Sequence, residues 1–466
     1  MAARPLVGLE DKSLYIPSVA GLEEADLTET DLKNSDFNSS SVTVEDLPLT
    51  EPVTEEKKIP VIDDEDQPPD GGLQAWTIVA SSFLIHFLCW GNAYSWGVYQ
   101  RYLVSNGLYG NTVSLAALGS SQTGVIFLLG MPIGIMTSRY GFRRLIQIGA
   151  VCFGSGYIFA SFGTEYWHLF LSQGVLAPIG IALCFFPSIT IASQWFTTKR
   201  AIATGIAVSG TGLGGLVYSV MIEAMLEKLG FQWTIRIVGI YSVVLLLLVS
   251  MLIKQRTART TTLKVNWAYF KDYRIWLFLL QSAFGSLAFQ IPIVYLSQFA
   301  GSLGENPAQG AFVILIFNLA GMIGRVALGF AADSLGRLNT VVFCTLFTGF
   351  STLFIWSFTY SYGLLLVYAF CEGIGVGGFV SVVPPAIVEL WGFQDLPFLF
   401  GVINFPAGIA TFVGAPIAGL ILTQTQGQFS NPYLGVILFA GCFMSASGFT
   451  SLAIRLTRST KLFARV

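Results

Sequence analysis

From residue 71 to near its end, the chain alternates long apolar runs with short polar breaks. The runs are about 20 residues long, the length of helix that crosses a hydrocarbon core of about 30 Å. The pattern predicts spanning helices at 75–99, 113–137, 145–163, 168–193, 201–221, 235–253, 275–298, 310–332, 340–358, 363–387, 398–422 and 433–453. The longest interior polar break, residues 254–274, divides these twelve six and six. The expected fold is an all-α integral membrane protein with two six-helix bundles.

Landmarks recur between the two sets of six. GIMTSRYGFRR (134–144) and GFAADSLGR (329–337) each follow the second helix of a half. Gly134 and Gly329, and Gly141 and Gly336, are 195 positions apart; Trp195 and Trp391, and Gly205 and Gly401, are 196 apart. One offset across separate landmarks implies a duplicated six-helix unit. Folds of this kind commonly place a ligand site between the repeats.

Composition agrees with the pattern: 53% of residues are hydrophobic, 11% are charged, and mean hydropathy is +0.66. Charge is divided sharply. Residues 1–70 carry 18 acids and 5 bases, whereas the whole chain is only −2. The expected domains are a disordered acidic cytoplasmic tail (1–69), a first bundle (70–253), a basic linker (254–274), a second bundle (275–454) and a C-tail (455–466). The tail lacks the apolar stretch of a secretory signal. Between tail and first helix, Pro68 and Pro69 stop helix extending backward, Asp70 is expected to cap the first helix, and Trp76 to sit at the headgroup level. With both ends inside, the inner loops hold 16 Lys or Arg and the outer loops three, so the positive-inside rule puts both termini in the cytoplasm. The expected location is the plasma membrane, with a vacuolar or other internal membrane as the alternative.

Several motifs now carry a resemblance. The helix order and Gly329-x3-Asp333-x2-Gly336-Arg337 resemble the major facilitator superfamily. DGGLQAW (70–76), WFTTKRAIATGIAVSGTGLGG (195–215) and GAPIAG (414–419) are similar to its monocarboxylate-porter family, in the fungal branch. That resemblance implies alternating access and a cargo among monocarboxylates, riboflavin or fungal secondary metabolites. Arg325 matches the family's helix 8 arginine. The family's acid one turn earlier is replaced by Gly321, and its helix 1 lysine falls near Ala93.

Charges inside the bilayer are costly and usually face a cavity. Arg325 can hold a planar anion by paired hydrogen bonds. Glu372, within CEGIGVGG, can be a proton site or the partner of Arg325. His86 shares a helical face with Trp90, Ala93 and Gly97 and can titrate there. Asn92, Gln281, Gln290, Asn318 and Asn404 either line a cavity or bond between helices. The small residues Gly205, Ser209, Gly210 and Gly214 predict close backbone packing by helix 5.

Charged loops suggest a cytoplasmic gate. Arg139, Arg143 and Arg144 would face Glu389 and Asp395, and Asp333 would face Lys199 and Arg200. The six cysteines lie in apolar runs without CxxC spacing and read as small buried residues. No cofactor, metal or nucleic-acid partner is expected. An enzyme is not expected either, because the two histidines and the nine acids beyond residue 70 form no catalytic cluster. The sequence favours a secondary active transporter of a small organic anion or amphipathic metabolite, with protons as an optional partner and export as one direction. The alternative is a non-transporting nutrient sensor.

Overall fold

The computed structural model describes residues 70–110, 112–256, 267–425, 431–460 and 464. The acidic tail, most of the 254–274 linker and most of the C-tail lie outside these residues. The described residues form helices and connecting turns, without strands.

The first span is α1 (Leu73–Tyr94) and α2 (Trp96–Ser105), divided at Ser95, whose Oγ bonds Gly91 O at 2.9 Å. The second is α3 (Thr112–Leu128) and α4 (Gly130–Tyr140), bent by 47° at their junction. The third is α5 (Phe142–Ala160). The fourth runs through α6 (Tyr166–Leu169), a π-helical turn (Phe170–Leu176) and α7 (Ala177–Ile191).

The helix α8 (Arg200–Leu252) has 53 residues and would extend about 80 Å if straight. It is two spans joined at Gly230, whose φ of 72° breaks the helical backbone. The second half comprises α9 (Tyr273–Ser302), α10 (Pro307–Leu335), α11 (Arg337–Phe350) with a π-helical end (Ser351–Trp356), α12 (Tyr362–Trp391), α13 (Leu396–Thr425) and α14 (Leu434–Leu456). Among the described residues, nine helices are long and apolar enough to cross a membrane, or ten when the bent α3–α4 pair is one span. Dividing α8 at Gly230 and including the 19-residue α5 accounts for all twelve runs.

Helix 5 packs closely on both sides, as its small residues predict. A Cβ added to Gly205 would lie 2.1 Å from Arg325 O on α10, and one on Gly210 would lie 2.2 Å from Phe83 O on α1. Each half also turns at a matched glycine, Gly141 with φ 84° and Gly336 with φ 106°, where a side chain would be strained.

Asp70 departs from the expected role. It does not cap α1, whose N-cap is Gly72. Its carboxylate reaches the loop before α8 instead, accepting from Thr197 N at 2.5 Å, from Thr198 N at 2.9 Å and from the Thr197 hydroxyl. Backbone N–H groups in a turn bind a carboxylate as readily as a helix start does, and here the turn lies in reach. Trp76 is 39% exposed and meets Phe196 edge-on at 5.2 Å.

Candidate functional site

A cavity of about 100 Å³ lies among helices of both halves. Trp90, Tyr94, Phe127 and Phe185 contribute from the first half, and Phe289, Phe379 and Phe400 from the second. Hydroxyls and amides punctuate this aromatic wall, among them Thr123, Ser282, Gln281, Gln290 and Asn404. Gln290 Nε2 donates to Thr123 Oγ1 at 3.4 Å and so ties the halves across the cavity. Asn404 lines the wall while its Nδ2 donates to Phe400 O at 2.8 Å.

Among the described residues, Arg325 is the one charged side chain in the lining, and it is 5% exposed. Room for its guanidinium comes from glycines: a Cβ on Gly212 or on Gly321 would each lie 3.3 Å from Nη1. Among the described residues Arg325 has no ion pair, and its buried Nε has no hydrogen-bond partner. A cation so placed is costly unless an anion joins it.

The other candidates lie elsewhere. Glu372, 1% exposed, is outside the lining and accepts from Ser351 and Thr352. It is therefore not in contact with Arg325. His86 is also buried outside the lining; its Nδ1 is 2.7 Å from Ser82 O, and its ring meets Phe185 at 5.6 Å. Asn92 is buried without a side-chain partner. Asn318 sits at the contact of α10 with α8, where its carbonyl faces Gly212. On α1 it is Trp90 and Tyr94, one turn apart, that reach the cavity, and not His86 or Ala93.

The loops at the end of the molecule that holds Asp70 and Ser459, here called the terminal face, join the halves. Asp333 accepts from Ala201 N at 3.0 Å and Ile202 N at 2.9 Å, at the first turn of α8. Arg337 pairs with Asp333 at 3.3 Å and donates to Thr197 O at 2.8 Å. The expected pairing of Asp333 with the Lys199 or Arg200 side chain is replaced by these backbone bonds. Arg200 is drawn onto Ser193 O and Phe196 O at 3.1 and 2.8 Å.

The other expected crossing also differs. Asp395 accepts from Tyr269 Oη at 2.7 Å, and the Glu389 carbonyl accepts from Arg458. Arg139 lies 5.3 Å over the Tyr140 ring, and Arg143 and Arg144 are exposed. Arginines at a helix start extend into water more cheaply than they desolvate to pair. At the opposite face, Arg101 pairs with Glu223 at 2.6 Å and Tyr362 donates to Gln309 O at 3.2 Å, each contact within one half.

A family model described as Major Facilitator Superfamily matches residues 78–337 and again 278–462. The chain belongs to the major facilitator superfamily. It is a multi-pass membrane transporter of that type, not an enzyme. It is 30% identical over 401 residues to MFS-type transporter 1 of Ophiocordyceps sp., covering 83% of this chain and 88% of the relative. It is 29% identical over 384 residues to the Fujikurins efflux protein of Gibberella fujikuroi, covering 81% of each chain. The fold is similar to a bacterial homologue of the iron transporter ferroportin in an outward-facing state, with a TM-score of 0.65 at 13% identity, over 81% of this chain and 99% of that one. It is also similar to the E. coli fucose:proton symporter, with a TM-score of 0.62 at 13% identity, over 82% and 98%.

Superfamily halves meet here through matched contacts. Gly205 lies against Arg325 O and Gly401 against Gly130 O, and a Cβ added to either glycine would fall 2.1 Å from that oxygen. Gly329 meets Ala201 O, and Gly134 meets Pro397 O. Each contact maps onto its partner by the offset of 195 or 196 positions seen in the sequence. The residues that the sequence reading missed are the aromatic cavity wall. Their signal was present as helical stripes, such as 282, 285, 286 and 289 on α9 and 376, 379, 380 and 383 on α12.

Proposed function

We propose that this transporter carries a small amphipathic organic anion, a monocarboxylate-like or aromatic secondary metabolite, out of the cytoplasm. Arg325 is the anion anchor, and the aromatic wall takes the apolar body. The observation that carries the reading is an arginine without an acidic partner in a cavity otherwise walled by rings and neutral polar groups. A guanidinium offers paired donors to a carboxylate, and ring faces accept flat apolar groups with little loss of rotamer freedom. An efflux protein among the relatives supports the outward direction. The motifs of the monocarboxylate-porter branch support the same cargo class. The excess of inner-loop Lys and Arg supports a cytoplasmic terminal face, and the plasma membrane is the location that fits export.

The glycine contacts between halves support alternating access. Smooth backbone surfaces can part and rejoin with few side chains to unlock. The terminal-face bonds close one end of the path in this conformation. The test is uptake of a panel of labelled aromatic carboxylates into inside-out vesicles by the wild-type chain, Arg325→Lys and Arg325→Ala. Expected is a transported carboxylate whose uptake falls at least about 100-fold in Arg325→Ala, the cost of about 3 kcal/mol for losing a charge-assisted contact. Lys should recover part of it. Equal transport by Arg325→Ala would remove the anion anchor from this reading.

A further inference from the structure

The face opposite the terminal face carries a second concavity, a groove of about 330 Å³ on the outside of the first half. The end of α5, α6 and the π-helical turn after it form this groove through Phe159, Phe162, Trp167, His168, Leu171 and Leu176. Phe159, Phe162, Trp167 and Leu171 are each more than half exposed. On a spanning bundle such a surface meets lipid, and tryptophan marks the headgroup boundary. The 19-residue α5 rises about 28 Å from the terminal face, so its end stands at that boundary.

One edge of the groove holds a fixed cation. Arg236, on the second arm of α8, lies 4.6 Å over the Phe162 ring and 5.0 Å over that of Trp233. Its Nε donates to Ser161 Oγ at 2.8 Å, and Nη2 reaches Ser161 O at 3.5 Å. Two rings and one serine thus hold the guanidinium in place and leave Nη1 without a protein partner among the described residues. No acid there pairs with it, Glu165 included, whereas Arg101 on the same face pairs with Glu223.

The groove itself adds a donor. His168 Nδ1 accepts from Thr164 N and Glu165 N, each at 3.2 Å. A ring nitrogen that accepts does not carry the proton, so Nε2 carries it, on a side chain that lines the groove. Ser172, also in the lining, spends its proton on His168 O at 2.6 Å. Past these polar groups, toward the membrane interior, the lining is apolar: Phe159 on α5, and Leu171 and Leu176 after α6.

One kind of molecule meets both demands. A held guanidinium suits a phosphate, which takes paired N–H donors, and a trough of rings and leucines below it suits an acyl chain. We propose that this groove is a phospholipid site. Arg236 holds the phosphate, His168 Nε2–H donates to a glycerol or ester oxygen, and one chain lies between Phe159 and Leu171. The site is separate from the central cavity and does not depend on the cargo or on Arg325.

The test uses the full chain in detergent, titrated with palmitoyl-oleoyl phosphatidylglycerol and read by native mass spectrometry. Expected is a single lipid adduct that survives removal of the detergent. Arg236→Gln should weaken its formation by about 10-fold, the loss of a hydrogen-bonded charge contact. Phe159→Ala leaves Arg236 and Ser161 in place and should weaken it several-fold. Lys228→Gln, at an exposed base on the same face, should leave it unchanged. The lipid should raise the melting temperature of the wild type and not that of Arg236→Gln, which a purely structural role for Arg236 would not produce. Glycerol 3-phosphate, with the phosphate but no chains, should not displace the adduct. Equal adducts in wild type and Arg236→Gln, displacement by glycerol 3-phosphate, or an adduct formed as well by a sterol would each overturn the proposal.

Discussion

Replacing Asp333 with Ala removes two of the polar bonds that cross between the halves at the start of α8. The interactions lost include acceptance from Ala201 N at 3.0 Å, acceptance from Ile202 N at 2.9 Å, and the Arg337 pair at 3.3 Å. Hydrogen bonds to a charged group contribute about 1.5–3 kcal/mol each, and an acid at a helix start adds about 0.3–1 kcal/mol. Water replaces part of this once the face opens, so a net loss of about 2 kcal/mol is expected. Only the closed form makes the bonds to Ala201 N and Ile202 N, whereas the Arg337 pair lies within the second half, so that loss shifts the ratio of closed to open states by about 30-fold. The assay is maleimide labelling of a cysteine at position 404, a cavity-lining position. The reagent is added to the terminal face of sealed vesicles. The rate should rise by about 30-fold in Asp333→Ala wherever the open form is the minor one. Arg337→Ala, which keeps the two Asp333 backbone bonds, should raise it less. If a folded Asp333→Ala chain labelled at the parent rate, these bonds would not hold the face closed.

Gly134→Ala should also open the terminal face, because its Cβ would fall 2.3 Å from Pro397 O and 2.9 Å from Phe398 Cα, both backbone atoms. Raised labelling at position 404 with a lower melting temperature would report it. Gly230→Ala tests backbone strain alone, since the nearest atom to an added Cβ is Tyr102 Oη at 3.8 Å while φ is 72°. The expected cost is about 1 kcal/mol in thermal unfolding, with labelling unchanged. Asp70→Asn has a pH signature. Burial pushes the Asp70 carboxyl up, but hydrogen bonds from Thr197 and Thr198 outweigh it and bring it from 3.8 down to about 2. A lowered carboxyl stabilises the fold above its unfolded value and loses that contribution as pH falls through its folded value. The difference in melting temperature between wild type and Asp70→Asn should therefore be flat at neutral pH and shrink from about pH 4 towards pH 2. A gap that persists unchanged down to about pH 2 would rule out the carboxylate as its source.

Spans and duplication were legible because both are written in period and spacing. Hydrocarbon thickness sets the run length, and a repeat offset survives as pairs of glycines. The cavity was less legible, for a physical reason. On a spanning helix an aromatic residue facing lipid and one facing a cavity have the same local pattern, so Phe379 and Phe370 look alike until the neighbours are placed. Phe379 lines the cavity, and Phe370 is 45% exposed on the outside of the bundle. Rare charges were easy to single out but not to assign. Arg325 reaches the cavity and Glu372 does not, although both are isolated charges in apolar runs. Asp70 shows a third limit. Its partners lie more than 120 positions away, and a helix start offered a nearer and equally reasonable acceptor role.

The duplicated frame shows where the two halves stopped being equivalent. Contacts of backbone on backbone are kept in both: Gly329 on Ala201 and Gly134 on Pro397, Gly205 on Arg325 and Gly401 on Gly130. Side chains with charge are kept in one. The position matching Asp333 is Ser138, that matching Arg337 is Phe142, and that matching Arg325 is Gly130. A rocking motion needs both smooth surfaces, because each half moves against the other along both seams. A latch and an anion anchor need only one copy each. A second arginine at position 130 would fill the space where Gly401 packs, with Phe186 at 2.6 Å from an added Cβ. The cavity is thus left with a single arginine among rings contributed by both halves. That lone charge follows from asymmetry within a symmetric frame, and under the function proposed above a cargo with one charged end and an apolar body should be carried in preference to a cargo charged throughout.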